Sequence, residues 1–270
     1  MTSIMKRSKR ELFDSFLGIV LIGCLIQAAG WMRHDSLVFP GLAEILKAFF
    51  RLVGEAHTYR LIATTLGHLL QALVLASVVG IPIGMAEGSS GFVYRLLRPL
   101  MILLRSVPVI VMVVIIMVMT KYDYVPLIAT SLLLIPMISE AVCEGVRGIE
   151  PELLDVYRLI CGFNTRVLLQ VYLPLMAGYL KQAYAGAVGM GIKMVVTTEY
   201  LVQTRNSLGK AIYSSSYFNE YQDIYAYALI MILLVLLVSA LPKAFQQASP
   251  LHRPPGQARK TPREPRDSQS

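Results

Sequence analysis

Two ionisable residues, Lys193 and Glu199, lie within a long apolar stretch, residues 175–201. A charged side chain inside a bilayer is costly, so such residues usually line a solute path or form a buried pair. A lysine facing a central path would favour an anionic solute. The alternative is that Lys193 forms a structural pair with Glu140, with Glu199 or with a free backbone carbonyl, and both roles stay open at this level.

Other polar residues in the apolar stretches suit structural roles. Arg105 has a side chain long enough to reach a membrane interface. Thr65, His68 and Gln71 share one stretch and are residue types that hydrogen-bond between helices in membranes. We expect packing rather than solute contact from all of them.

A polar segment, residues 144–174, separates the fourth and fifth apolar stretches. Pro151, followed by Glu152 and Asp155, predicts the start of a helix, because proline suits the first helical position and acidic groups stabilise the positive end of the helix dipole. Gly162 predicts the end of that helix. Apolar residues lie among its charges, and in water they need a partner protein or the chain's own bundle to cover them.

The composition predicts a membrane-spanning scaffold for these residues. Hydrophobic residues make up 55% of the chain and charged residues only 16%, whereas about a quarter of the residues of a soluble domain are charged. The mean hydropathy is +0.58. Six apolar stretches approach the length of about 20 residues that a bilayer requires: 13–31, 62–85, 99–120, 125–142, 175–201 and 224–244. Pro108 and Pro136 predict kinks or breaks in the third and fourth.

Lysine and arginine residues collect on one side of a six-span arrangement, which indicates the cytoplasmic side. They lie at both ends of the chain, between the second and third stretches, and in the polar segment: Lys6, Arg7, Lys9, Arg10, Arg95, Arg98, Arg147, Arg158, Arg166 and Lys243 to Arg266. Both termini and the polar segment are therefore expected in the cytoplasm. We attribute the formal net charge of +8 to this anchoring and not to nucleic-acid binding.

The chain divides into three expected parts. A basic segment, 1–12, precedes a transmembrane domain, 13–245, and a proline-rich basic tail, 246–270, is expected to be disordered in the cytoplasm. A cleaved signal peptide is the alternative for the N-terminus, but its apolar run exceeds the usual length of about 7–15 residues. The three cysteines, Cys24, Cys143 and Cys161, imply no disulfide framework.

The polar segment resembles the loop motif of binding-protein-dependent ABC importer permeases, which reads Glu-Ala-Ala, three residues, Gly, nine residues, Ile-x-Leu-Pro. Counted back from Pro174, the register places Asp155-Val156-Tyr157 on Glu-Ala-Ala, Cys161 on Gly, Val171 on Ile and Leu173 on Leu. The glycine itself comes one place later, at Gly162. Bulky Val156 and Tyr157 replace the two alanines, so packing against a partner differs from the family pattern there.

Shorter matches extend the resemblance from about residue 20 to residue 245. They follow the order seen in the nitrate, sulfonate, taurine and bicarbonate branch of that family, at residues 79–84, 105–108, 145–147 and 208–209. Lys193 and Glu199 also match that branch, which often has Trp-Lys where this chain has Ile192-Lys193. The resemblance implies a small, anionic solute of the nitrate, sulfonate or taurine type.

The resemblance also implies partners. An ATPase subunit would receive the short helix, and the coupling contact would consist of Glu152, Leu154, Asp155, Val156, Tyr157, Arg158, Cys161, Gly162, Leu173 and Pro174. A second permease copy, an extracytoplasmic substrate-binding protein and membrane lipid complete the set, with ATP and Mg²⁺ held by the ATPase. This chain has no Gly-x-x-x-x-Gly-Lys-Ser/Thr loop for nucleotide phosphates, and we expect no cofactor, metal or catalytic residue on it.

We therefore expect an all-α, multi-pass protein of the bacterial inner membrane with about six spans, acting as a permease and not as an enzyme. A secondary transporter driven by an ion gradient, using Lys193 and Glu199 directly, is the alternative. Dependence of uptake on a co-encoded ATPase separates the two. An intramembrane enzyme is disfavoured, because no metal cluster and no pair of nucleophile and base lies in the apolar stretches.

Overall fold

The computed structural model describes residues 40–148 and 173–248. Within these ranges the chain forms eight α-helices and a short 3₁₀ turn, Tyr122–Tyr124, and no strand. The helices are α1 Leu42–Gly54, α2 Ala56–Ser89, α3 Gly91–Ser106, α4 Val109–Met119, α5 Val125–Arg147, α6 Leu173–Val202, α7 Leu208–Tyr217 and α8 Tyr221–Ala248. The all-α fold predicted from the sequence is confirmed.

Three of the described helical segments are long and apolar enough to cross a membrane: α2, Tyr122–Arg147 and Tyr221–Val238. The pair α3 and α4 supplies a fourth if it is counted as one bent span. These segments coincide with four of the six predicted stretches. Helix α6 covers the fifth and is 30 residues long, but it is not among the apolar segments and carries Lys181, Lys193 and Glu199. The first predicted stretch, 13–31, lies outside the described residues.

Proline breaks one predicted span and not the other. Helix α3 ends at Ser106 and α4 begins at Val109, with Pro108 at its N-cap, and the two helices are bent by 100°. Pro136 lies inside α5, which continues to Arg147. Proline in a membrane helix is tolerated where neighbouring groups satisfy the freed backbone, so a break at Pro136 did not follow from the residue alone.

Glycine allows α2 and α5 to pack closely. Gly80, Gly84 and Gly88 recur every four residues and therefore share one face of α2. A methyl group added at Gly80 would lie 3.0 Å from the carbonyl oxygen of Ile135, one at Gly84 would overlap the carbonyl of Ser139, and one at Gly88 would lie 2.6 Å from Val146 Cβ. Small residues at such a spacing permit close approach of helices in membranes.

Helix α6 is central to the described bundle, since it contacts α2, α4, α5, α7 and α8. Its buried apolar residues contribute to all three hydrophobic clusters: Ile192 and Val195 pack with α1, α2, α7 and α8, Ala187 packs with α2 and α5, and Met194 packs with α4 and α5. This packing fixes the rotation of α6. It therefore determines which of its polar residues point outward and which point inward.

Candidate functional site

Lys193 lies about two-thirds of the way along α6 and is exposed, although its neighbours Ile192, Met194 and Val195 are buried. Met190 and Thr197, three residues before it and four after it, are exposed as well and share its face. The Thr197 hydroxyl donates a hydrogen bond to the Lys193 carbonyl at 2.8 Å. An exposed lysine placed in lipid at the centre of a helix would cost about 2.5–3.5 kcal/mol on insertion scales. This face of α6 is therefore better suited to water or to another protein surface than to lipid.

Glu199, six residues further along, points into the protein and is fully buried. Its Oε2 accepts hydrogen bonds from the Thr65 hydroxyl at 2.9 Å and from the Gly209 backbone N–H at 3.3 Å. Its Oε1 lies 2.7 Å from Nδ1 of His68. The Thr65 hydroxyl in turn accepts a hydrogen bond from the Leu208 N–H at 3.1 Å. The carboxylate therefore joins α2, α6 and the first turn of α7.

Glycine is required where α7 meets this carboxylate. A methyl group added at Gly209 would lie 2.5 Å from Glu199 Cβ and 2.6 Å from the carbonyl oxygen of Val196. The turn before α7 places Gln203 and Asn206 in the left-handed region, with φ of 56° and 54°. Ser207 caps α7, because its hydroxyl oxygen accepts a hydrogen bond from the Lys210 N–H at 3.2 Å. With this local geometry, the Leu208 N–H donates to the Thr65 hydroxyl and the Gly209 N–H donates to the Glu199 carboxylate.

The structure thus separates the two ionisable residues that the sequence singled out. Lys193 is exposed on α6, whereas Glu199 is buried with Thr65 and His68. The other carboxylate considered for Lys193, Glu140, pairs with Arg105. The expected interhelical hydrogen bonding of Thr65 and His68 is confirmed, and Gln71 is exposed. The path-lining role of Lys193 and Glu199 stays a prediction.

Arg105 anchors the end of α3 to α5. Its guanidinium donates hydrogen bonds to the Pro136 carbonyl at 2.9 Å and to the Glu140 carboxylate. The pair lies at one side of a cleft of about 340 Å³ that contains three arginines and three glutamates: Arg98, Arg105, Arg147, Glu87, Glu140 and Glu144. Arg105 is therefore held by a specific partner on α5 and does not merely extend toward an interface.

Glu87, one of these glutamates, was missed by the sequence analysis. It is buried, and its Oε2 accepts a hydrogen bond from the Ser139 hydroxyl at 2.8 Å. The signal was present, because Glu87 follows Gly84 by three residues and so lies on the face of α2 that packs against α5. Recognising it required knowing which helix that face meets.

Of the expected coupling residues, those from Glu152 to Gly162 lie outside the described residues, and Leu173 and Pro174 begin α6. The ends of the intervening segment are nevertheless placed. A methyl group added at Gly145 would lie 2.9 Å from Met176 Cγ, and one at Gly148 would lie 2.9 Å from the Tyr179 hydroxyl. The last turn of α5 and the first turns of α6 are thus side by side, so the described residues that flank segment 149–172 lie at the same end of the bundle.

Comparison of the sequence with protein-family models gives a match over residues 76–249 to the family described as the inner membrane component of binding-protein-dependent transport systems. The chain belongs to this family. Members of this transport-system family are permease subunits and not enzymes, and the apolar helices agree with a multi-pass inner-membrane protein. The match includes α3 to α8, the C-terminal part of α2 from residue 76, and the polar segment 144–174.

The fold of this inner-membrane component is similar to two solved structures of the MetNI methionine ABC transporter in inward-facing conformations. The CY5 native crystal form has a TM-score of 0.61 and covers 72% of this chain and 98% of its own chain, at 17% identity. The CY5 selenomethionine-soak form has a TM-score of 0.63 with coverage of 71% and 95%, also at 17% identity. At this identity the likeness concerns the fold alone. No curated protein sequence matches the chain.

Proposed function

We propose that this permease subunit forms, with a second copy of itself, the membrane path for a small anionic solute, and that a separate ATPase drives transport through the 150–174 loop. A binding protein outside the membrane delivers the solute, as the family description implies. Lys193 carries the proposal for the solute class. It is exposed within α6, while the carboxylates Glu140 and Glu199 are occupied by other partners.

The charge of Lys193 supports an anion. Among the described residues, the exposed face around it offers Met190 and Thr197 but no carboxylate that pairs with the ammonium group. Two unit charges 4 Å apart attract by about 4 kcal/mol at an effective dielectric constant of about 20. A nitrate, sulfonate or taurine-like group therefore suits this face, and the similarity to a methionine transporter does not extend to the choice of solute.

Replacing Lys193 by methionine tests the path. Lys193→Met removes the charge and retains an apolar chain, so we expect normal insertion and assembly. We expect uptake of the transported anion to fall about tenfold or more, which corresponds to losing only part of the attraction between the two charges. Uptake of labelled nitrate, sulfonates and taurine into cells or vesicles measures it. Lys181→Met, an exposed lysine on the same helix, is the control. Loss of assembly in Lys193→Met would favour a structural pair, and full activity would exclude both roles.

The coupling contact is supported by the two ends of segment 149–172, which lie side by side at one end of the bundle. We expect Gly162→Val to misdirect the loop helix, because a β-branched residue in the left-handed conformation that ends a helix costs about 1–2 kcal/mol or more. A variant with Leu154 and Tyr157 both changed to Asp should lose the contact directly. Asp155→Lys should act less, since the dipole effect in the first turns of a helix is about 0.3–1 kcal/mol.

Co-purification of the co-encoded ATPase with the permease, together with uptake, measures this contact. Wild-type values of both in Gly162→Val and in the double Asp variant would place the contact elsewhere. Uptake that persists without the ATPase and stops when the ion gradient is collapsed would instead identify a secondary transporter.

The orientation is proposed from the Lys and Arg distribution, with both termini and segment 144–174 in the cytoplasm. Ser215 is a poor labelling position on the opposite side because it is buried, whereas its neighbour Ser216 is exposed. With the three native cysteines replaced by serine, we expect Ser216→Cys to react with an impermeant maleimide from outside and Gln257→Cys only after the membrane is opened. The reverse pattern would invert the proposed topology.

A further inference from the structure

Helix α3 is held in the bundle without burying a side chain. None of its residues from Gly91 to Ser106 is buried, and Phe92, Leu96, Leu100 and Leu103 are each about half exposed or more. Its neighbours α2 and α5, in contrast, pack through glycines and buried apolar residues. Lipid tails are as apolar as these side chains, so helices in a membrane associate through close packing and interhelical hydrogen bonds. Because no side chain of α3 is buried, we expect polar contacts to matter more for the position of α3 than for that of α2 or α5.

Two arginines make these contacts at the two ends of α3. Near its start, the Arg147 guanidinium lies over the Tyr94 ring, 3.9 Å from the ring centroid, and Arg147 Nη2 donates a hydrogen bond to the Glu87 carbonyl at 3.2 Å. Near its end, Arg105 donates to the Pro136 carbonyl and the Glu140 carboxylate. Arg147 thereby connects the ends of α2, α3 and α5 through one side chain.

One of these arginines lies next to the polar segment and the other lies next to the bend between α3 and α4. Arg147 is the last residue of α5, and only Gly148 separates it from segment 149–172. Arg105 is the residue before Ser106, where α3 ends and the 100° bend into α4 begins. A displacement of the last turn of α5 would therefore move Tyr94 and the start of α3, and the bent span would follow, while the close glycine packing holds α2 and α5 together.

We propose that Arg147 is the positioning residue that transmits movement of the ATPase-bound loop to the bent span α3–α4, by way of its stacking on Tyr94. The proposal rests on the proposed function, since the loop must move with the ATPase. The Arg147–Tyr94 contact is suited to this role because both partners are partly or fully exposed, and a cation–π contact at such a site is weak enough to break and re-form. The Arg105 contact then keeps the other end of α3 on α5.

Hydrogen–deuterium exchange of the α3 peptide, residues 91–106, in the permease–ATPase complex tests this inference without any solute. Exchange is compared between the nucleotide-free complex and the complex trapped with Mg-ATP and vanadate. In the wild type we expect the two states to differ in α3. In Arg147→Met and in Tyr94→Leu we expect exchange in α3 to be at least about fivefold faster and no longer to respond to trapping, while the ATPase remains bound.

Two matched variants serve as controls. Tyr94→Phe retains the ring that Arg147 covers, and Arg95→Met removes a neighbouring exposed arginine of α3 that makes no described ring contact; both should respond to trapping as the wild type does. A merely structural role for Arg147 would speed exchange in both states and leave the difference between them. That result, or a wild-type α3 that does not respond in an active complex, would overturn the inference alone. Absence of an ATPase complex would overturn the proposed function with it.

Discussion

Gly84→Ala is expected to lower the yield of folded permease sharply, although it adds only one methyl group. That methyl would overlap the backbone carbonyl of Ser139 and lie 2.7 Å from Val142 Cβ, and a backbone atom cannot move aside as a flexible side-chain end can. Overpacking of this kind costs about 1–3 kcal/mol and occasionally more. The α2–α5 contact is a major part of the described bundle, so moving the two helices apart should destabilise the whole bundle.

The same helix offers a graded series for this prediction. A methyl group at Gly80 would lie 3.0 Å from the Ile135 carbonyl oxygen, so Gly80→Ala should be milder, and at Gly67 no atom lies within 4 Å. Gly67→Ala should be neutral or stabilising by about 0.5–1 kcal/mol, the usual gain of alanine over glycine in a helix. The fraction of each variant that stays monodisperse after heating, measured by size-exclusion chromatography, ranks the three variants by stability. Equal stability of Gly84→Ala and Gly67→Ala would refute the close packing of α2 on α5.

Glu199→Leu is the second substitution with a large expected effect. It would leave the Thr65 hydroxyl, the His68 ring nitrogen and the Gly209 N–H without their acceptor. Each buried polar group left unpaired costs about 1–3 kcal/mol. We expect the first turn of α7 to detach from α2 and α6, visible as faster hydrogen exchange at Leu208 and Gly209 together with reduced thermal stability.

Two substitutions at Thr65 test the same hydrogen-bond network, because one removes the hydroxyl and the other keeps it. Thr65→Val keeps the shape of the side chain but removes both the donor to Glu199 and the acceptor of the Leu208 N–H, whereas Thr65→Ser keeps the hydroxyl. Thr65→Val should therefore share the exchange behaviour of Glu199→Leu, and Thr65→Ser should resemble the wild type. If serine and valine behaved alike at this position, packing of the methyl group and not the hydrogen bonds would be the stabilising feature.

Helix positions were predictable where composition and a strong local signal agreed. The apolar stretches at 62–85 and 125–142 lie inside α2 and α5, and the bend at Pro108 is present. The continuity of α5 through Pro136 was not predictable, because it depends on the groups around that proline. A proline in a sequence shows which backbone hydrogen bond is lost, but it does not show which group replaces that bond.

The candidate site shows the same division. That Lys193 and Glu199 were unusual in an apolar stretch followed from their type alone. Their six-residue separation places them on different faces of a helix. Which of the two faces is inside did not follow from the sequence, because only the packing of α6 decides it. The partners of Arg105 and Glu87 likewise come from α5, more than 30 residues away in sequence at 35 and 52 positions.

The close approach of the end of α5 to the start of α6 has a consequence for how such permeases diversify. A methyl group added at Gly148 would lie 2.9 Å from the Tyr179 hydroxyl, so the helix end before segment 149–172 lies close to the first turns of the helix after it. On the proposed function, segment 149–172 can then be exchanged for one of another sequence while both flanking helix ends stay in place. If the proposed function is right, a chimaera that carries segment 149–172 of another permease should bind that permease's ATPase and still transport its own solute.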